Sequence, residues 1–318
     1  MKAMKAPKFW EEDSLKAKLL SPLSFFYKKS TAARVSKPGY KSSLPVICVG
    51  NITAGGSGKT PVAMAIARLL QADGKTPNFV SKGYGRTSEE TLKVQNHKPE
   101  QVGDEPLLLA RIAPTFVSTS REEGAKKAEE NKADIILLDD GFQDPTLEKT
   151  LSFLVIDGAY GLGNKKVIPA GPLREPFEEA IERADAIIVV GELKKKLPET
   201  NKPILKANIN VHIPELLRED DVVAYCGIGI PAKFYASLRA AGVNVVNELA
   251  YPDHHSYSEQ DFKDIFAIAT ERQAVVFTTE KDYVKVPEHL KKLISPIKAE
   301  LVFEDEAAVR ELLKKCYA

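Results

Sequence analysis

The sequence predicts an α/β protein: a mostly parallel sheet with helices on both faces, plus a second, smaller α/β domain. Three observations lead there. Val46 to Gly50 is a short apolar run that ends in a glycine-rich turn, followed by Lys59-Thr60 and a helical pattern from Pro61 to Leu70. Apolar strand-like runs then alternate with helical patterns, which implies an open, mostly parallel sheet. A new strand–helix series starts beyond a surface-like connection at residues 192–206.

The first run reads as strand, phosphate-cradling loop and helix, the P-loop NTPase type. Backbone N–H groups of Thr53, Ala54, Gly55, Gly56, Ser57 and Gly58, with the positive end of the helix behind them, would point at phosphate oxygens. Lys59 would reach the terminal phosphates and the Thr60 hydroxyl would ligate Mg²⁺. The strict pattern has glycine where Thr53 stands, and Gly55 and Gly56 supply flexibility instead. A glycine-rich turn with a surface lysine is the plainer alternative. The strand before and the helix after favour the nucleotide reading.

Further strands are expected at 78–81, 115–118, 134–140, 151–157 and 186–190, and helices at 106–112 and 121–131. Residues 88–103 read as irregular or hairpin-like. In the second unit, strands are expected at 222–225, 243–246 and 274–278, with helices at 231–241, 259–272 and 306–317. The resulting domain division is 1–40, 41–200 and 201–318. Ligands of such sheets bind beyond the carboxyl ends of the strands. Asp139-Asp140 ends an apolar strand, where the Mg²⁺ partner of a phosphate loop belongs. Acids capping the following loop are the alternative.

Composition excludes several classes. Cys48, Cys226 and Cys316 are scattered, with neither a CxxC pair nor metal-ligand spacing, so neither a disulfide framework nor a zinc site is expected. No run of 18 apolar residues exists, so no spanning helix is expected, and no signal peptide either. Residues 1–45 hold ten basic and three acidic residues, +7 against +1 for the whole chain, so the rest carries −6. Leu15, Leu19, Leu23 and Phe26 follow helical spacing there, with Pro22 expected to bend or restart the helix. Such a basic, aromatic-rich segment suits an anionic membrane surface. A helix packing the same apolar face on the core fits the pattern equally.

Two other nucleotide classes are disfavoured. Asn131-Lys132-Ala133-Asp134 matches a guanine-recognition string, but it precedes its strand, at the sheet edge away from the phosphates. Partitioning-type ATPases carry a lysine where Ala54 stands. A nucleotide-dependent switch or assembly ATPase that binds a protein partner remains the competing functional class.

Several strings are weak one by one and specific in their order. They are Gly50-Asn51 with Gly55 to Pro61, Lys82-Gly83-Tyr84-Gly85-Arg86, Gly103-Asp104-Glu105-Pro106 and Asp139-Asp140-Gly141-Phe142-Gln143. Pro169 to Pro176, Gly227-Ile228-Gly229, Pro252-Asp253-His254-His255 and Thr278 to Asp282 follow. The set, spanning about 46–283, closely resembles the tetraacyldisaccharide 4′-kinase family. The resemblance implies ATP and Mg²⁺ as cofactors. It implies phosphorylation of the 4′-hydroxyl of a tetraacylated glucosamine disaccharide 1-phosphate, forming the lipid A precursor lipid IVA. It also implies a peripheral enzyme at the cytoplasmic face of the inner membrane, with a membrane-embedded glycolipid acceptor. No nucleic acid and no obligate protein partner are expected. Asp104 and His254 match the family's base pair, with Lys59 and Arg174 as further catalytic residues. Thr60, Asp139, Asp140 and Glu105 are metal candidates. Tyr84, Arg86, Arg121, Gln143 and Glu175 are substrate candidates. The chain departs from the family's usual residues at Ser57 (usually Thr), Lys82 (commonly Arg) and Asp144 (usually His).

Overall fold

The structure, a computed structural model, describes residues 7–217 and 219–317; Lys2 and Lys5 of the basic segment lie outside them. In chain order the elements are α1 (Leu15–Val35), β1 (Val46–Gly50), α2 (Lys59–Ala72), β2 (Pro77–Ser81), β3 (Leu92–Lys93), α3 (Pro99–Val102) and α4 (Asp104–Leu109). Then come β4 (Thr115–Val117), α5 (Arg121–Glu130), β5 (Ile135–Asp139), β6 (Leu151–Asp157), α6 (Phe177–Arg183), β7 (Ala186–Val190) and β8 (Ile204–His212). The chain ends with β9 (Asp221–Cys226), α7 (Pro231–Ala240), β10 (Asn244–Ala250), α8 (Glu259–Glu271), β11 (Val275–Thr279), α9 (Glu280–Tyr283), β12 (Ile294–Phe303) and α10 (Glu306–Lys314).

One 12-stranded sheet runs β10-β9-β11-β12-β8-β7-β6-β1-β5-β2-β4-β3. Its pairings are parallel except β12 with β8 and β3 with β4. β1 lies between β6 and β5, pairing Val49 with both Phe153 and Asp139. From β1 the chain works outward through β2 and β4, returns to β5, and then crosses to β6. That reversal opens a crevice at the carboxyl end of β1, where ligands of open sheets bind.

Alternate residues of β1 serve opposite faces, as a period-2 strand dictates. Ile47 and Val49 pack with Val62, Ile66 and Leu70 of α2; Val46 and Cys48 pack with Ala125 of α5 and Phe177 of α6. Truncating a fully buried leucine such as Leu70 to alanine costs about 2–5 kcal/mol. In the second lobe, α7 covers one face through Phe234 and Leu238, and α8 covers the other through Phe262 and Ile265.

The expected boundary at residue 201 falls just before β8, which joins the two parts of the sheet. Strands β8 and β12, absent from the sequence reading, pair antiparallel from Ala207–Phe303 to His212–Lys298. Helix α10 returns to the first lobe, where Val309 and Leu313 join the α2 core. One departure concerns the arm. Helix α1 runs unbroken through Pro22, with Ser14 capping its start by accepting from Ala17 N–H. Ahead of that helix, Trp10 donates its indole N–H to the Pro169 carbonyl at 3.0 Å.

Candidate active site

The turn after β1 is held open by a second loop. Ala54 N–H donates to Pro172 O at 2.8 Å and Arg174 N–H donates to Ile52 O at 2.6 Å. The Asn51 amide donates to Thr53 O at 2.8 Å. Gly58 caps α2 with φ +85°, a conformation in which a side chain is strained. The fourteen-residue helix behind it places its positive end at the loop. The Ser57 hydroxyl is buried without a partner. A buried polar atom left unpaired normally has a ligand or water to answer it.

Two carboxylates face this loop from the end of β5. Thr60 donates its hydroxyl to Asp139 Oδ2 at 2.9 Å, while Asp139 Oδ1 is buried and unpartnered. Burial, then the nearby Glu105 carboxylate, pushes the Asp139 carboxyl up to about 7. Asp140 has the opposite environment. Burial raises it, but Lys59, Arg174 and Arg121 outweigh burial and hold it below the usual carboxylate range. Asp140 adopts φ +56°, which aspartate tolerates better than most residues. It lies 3.8 Å from Lys59 Nζ and 3.1 Å from Arg174.

An orphaned buried carboxylate oxygen beside a hydroxyl and a second acid suits a hard cation. Among the described residues no three His, Cys, Asp or Glu side chains converge to hold a metal unaided. Asp139 and Thr60 would therefore share Mg²⁺ with phosphate oxygens and water, with Asp140 and Glu105 nearby.

Arg174 belongs to a chain of polar contacts. It faces Gln143 Oε1 at 3.3 Å; Gln143 donates to Asn51 O at 2.7 Å and to Glu175 at 2.9 Å; Glu175 receives Arg183 at 2.5 Å. Gln143 and Glu175 were expected as substrate contacts. They are instead turned onto this chain, Glu175 being only 2 % exposed. They orient Arg174, whose own guanidinium stays partly open. Arg121 is the clearest correction. It is 1 % exposed and donates to the carbonyls of Val80, Asp139 and Asp140 at 2.5, 2.9 and 3.0 Å. The start of α5 lies beneath β2 and β5, so its guanidinium braces the two strand ends. Arg86 likewise donates to the carbonyls of Glu90 and Glu89 at 2.6 and 3.3 Å, fixing its own loop.

The third part of the site joins the lobes. Gly83 has φ +66°, and a Cβ there would come 2.4 Å from the Val102 carbonyl oxygen. Glycine thus lets the 82–86 turn lie against the start of α4. There Asp104 Oδ2 meets His254 Nδ1 at 3.0 Å, although 150 residues separate them. His254 adopts φ +58° in the turn after β10. Lys285 Nζ lies 3.1 Å from the same Asp104 oxygen. Burial opposes ionisation of Asp104, but the His254 hydrogen bond and Lys285 hold its carboxyl below the usual range. Exposed Tyr84 sets its ring 5.4 Å from the His254 ring. A cavity of about 250 Å³, lined by Tyr84, Gly85, Thr87, Asp104, His254 and Tyr257 among others, opens beside the pair. The second lobe also reaches the phosphate loop itself. A Cβ on Gly229 would lie 3.7 Å from Gly56 N, and Lys233 pairs with Asp157 at the end of β6.

Sequence reading missed Lys281 and Lys285, which flank His254 and Asp104, and Arg183 behind Arg174. Lys281 lies inside the quoted Thr278–Asp282 string; Lys285 and Arg183 carry no motif signal.

Comparison with known proteins bears on all of this. The family profile described as tetraacyldisaccharide-1-P 4′-kinase matches residues 16–317. A tetraacyldisaccharide 4′-kinase of Rhodospirillum rubrum is 42% identical over 98% of each chain, and one of Gluconobacter oxydans is 41% identical over 96% of each. The crystal structure of LpxK from Aquifex aeolicus in complex with ATP superposes with a TM-score of 0.81 at 29% identity, covering 95% of this chain and 99% of that one. On a match that takes in nearly the full length of both sequence and fold, this chain belongs to the tetraacyldisaccharide 4′-kinase family.

Proposed function

We propose that the chain transfers the γ-phosphate of ATP to the 4′-hydroxyl of a tetraacylated glucosamine disaccharide 1-phosphate, giving lipid IVA. The contact that carries the reading is Asp104 with His254, beside an open cavity, on a turn whose Asp253 shares the neighbourhood of Gly229 with Gly56 of the phosphate loop. A bare nucleotide switch has no need of a carboxylate–imidazole pair there.

The phosphate loop and Lys59 bind the triphosphate, and the unpaired Ser57 hydroxyl supplies one more donor. Asp139 and Thr60 would hold Mg²⁺, which would supply charge neutralisation for the phosphates. Arg174, oriented by Gln143 and Glu175, offers a fork-shaped cation to the group in transit. Asp104 takes the proton of the acceptor hydroxyl, and His254 and Lys285 hold that carboxylate in place. The acceptor oxygen forms the new P–O bond as the bond to the β-phosphate bridging oxygen breaks, and ADP leaves. Lysine, arginine and the loop amides act mainly by stabilising the transferring phosphoryl group, worth several kcal/mol of barrier in such sites.

The acceptor's four acyl chains keep it in a bilayer, so the enzyme works at that surface. Support comes from α1, where Leu15, Leu19, Leu23, Phe25 and Phe26 are 54–74 % exposed. Ser24 on the same helix donates to Val167 O at 2.7 Å, so the helix is docked while those side chains stay bare. No described helix is long and apolar enough to cross a membrane. The proposed location is the cytoplasmic face of the inner membrane. ADP release measured with and without the acceptor tests the reading: release that depends on the glycolipid supports it, and acceptor-independent turnover counts against it.

A further inference from the structure

Lys281 is the second residue of α9, and its side chain is 17 % exposed. Its ammonium lies 3.0 Å from Asp253 Oδ1, 3.2 Å from His254 Nε2 and 3.8 Å from Glu105 Oε1. On the other edge of the same imidazole, Nδ1 lies 3.0 Å from Asp104 Oδ2. The ring of His254 is therefore held between a lysine and a carboxylate.

The donor inventory of the three groups decides the tautomer. An ammonium has three N–H donors and no acceptor, and an ionised carboxylate only accepts. A neutral imidazole has one N–H and one lone pair. Only one arrangement satisfies both neighbours: Nδ1–H donates to Asp104, and the Nε2 lone pair accepts from Lys281. The other tautomer sets N–H against N–H on one side and lone pair against carboxylate on the other. A flipped ring makes neither hydrogen bond, because it places carbon edges against both partners.

We infer that Lys281 is a positioning residue for phosphoryl transfer: it occupies Nε2 of His254 and so commits the ring's single proton to Asp104. The rate consequence rests on the kinase reading above; the tautomer does not. Lys281 acts from the second lobe. Its three neighbours are Asp253 and His254 on the turn after β10 and Glu105 on α4 of the first lobe. One ammonium thus ties the imidazole, its own turn and the helix that carries Asp104 into a fixed geometry. The adjacent Arg111–Glu280 pair, at 3.4 Å, joins the turn after α4 to α9, but it is partly exposed and contributes little. Removing Lys281 frees Nε2 to carry the proton, and Asp104 then keeps Lys285 but loses the imidazole as a second donor.

The first test needs no variant. Full-length wild-type protein labelled with ¹⁵N-histidine has five imidazoles, and a His254→Gln control assigns the relevant one. The inference expects His254 protonated at Nδ1, with a hydrogen-bonded lone pair at Nε2. A signal showing Nε2–H in the wild type would overturn it. The second test is kinetic. Lys281→Met keeps the length and removes the donors. It should lower kcat by roughly 10- to 100-fold, a part of what a general base supplies, with KM for ATP unchanged within about twofold. Lys281→Arg, which retains a donor, should recover much of the loss. A Lys281→Met enzyme with wild-type kcat would overturn the inference. If that variant fails to fold, the wild-type spectrum still decides it. An inactive wild type would count against the kinase reading and not against the tautomer assignment.

Discussion

Lys82 Nζ lies 2.7 Å from Asp144 Oδ2, joining the turn after β2 to the loop after β5. Both are positions that the family resemblance marks as departures from its usual residues, and here the two side chains face each other as an ion pair. Burial pushes the Asp144 carboxyl up, but hydrogen bonds from Lys82 and Thr146 outweigh burial and bring it down to about 2. The pair therefore tethers the glycine-rich 82–86 turn, which borders the Asp104 cavity, to the strand end that carries Asp139 and Asp140.

That tether has a pH signature. The folded value lies below the ordinary aspartate value of about 4. Asp144 therefore adds stability above about pH 4 and loses it as the pH falls toward 2. Asp144→Asn should lower stability at pH 7 by about 1–2 kcal/mol, discounted because Lys82 is more than half exposed. The gap to wild type should close near pH 2–3. Urea midpoints across that range check this; a gap independent of pH would assign the cost to packing.

Arg121 should behave as a brace. Arg121→Met removes a donor from two buried carbonyls and one partly buried carbonyl, which costs about 3 kcal/mol. The melting temperature should fall sharply, while KM for the acceptor, measured on the folded fraction at low temperature, stays near wild type. A well-folded variant with a raised acceptor KM would restore Arg121 to the substrate site.

How much of this the chain reveals before folding depends on burial. The strands at 46–50, 135–139, 151–157 and 186–190 are buried on both faces and read as continuous apolar runs. β8 and β12 did not show. β8 mixes Lys206, Asn208 and Asn210 with its apolar residues, and β12 contains Pro296, Lys298 and Glu300, so neither makes an apolar run. Helix α1 hid its continuity because Pro22 argues for a break, although a proline removes only one helical hydrogen bond. The phosphate loop and its carboxylates were legible because their chemistry fixes residue type and spacing. Arg121 misled because a guanidinium near phosphates and one bracing carbonyls look alike in a sequence. Lys285 and Arg183 were invisible because they act on side chains more than 150 residues away or within a helix that carries no motif.

The proposed base pair, Asp104 with His254, predicts non-additivity. Asp104→Ala and His254→Ala should each lower kcat by roughly 10²–10⁴-fold with little change in KM for ATP. The double variant should be little worse than the worse single one, as for groups that act together. His255→Ala should stay within a few fold of wild type, since His255 faces Asp261 at 3.2 Å and stacks on Tyr251. Multiplicative losses would dissolve the pair, and a dead His255→Ala would move the site by one residue.

The exposed face of α1 predicts salt-sensitive binding to vesicles of anionic phospholipid. Each cation near such a surface contributes about 1 kcal/mol. Changing Lys16, Lys18, Lys28 and Lys29 to Glu should abolish flotation with the vesicles at low salt without lowering the melting temperature by more than a few degrees. Lys28 pairs with Glu179 at 2.8 Å, so part of any thermal loss belongs to that contact. A charge-reversed protein that still floats would leave the lysines without an anchoring role.

Transfer of label from γ-labelled ATP to the disaccharide 1-phosphate, run beside a 4′-deoxy analogue of the same acceptor, tests the central claim most directly. The account predicts one phosphate added per 4′-hydroxyl acceptor, none to the 4′-deoxy compound, and loss of transfer in Asp104→Ala. Label on the 4′-deoxy compound, or ATP turnover that ignores the acceptor altogether, would contradict it.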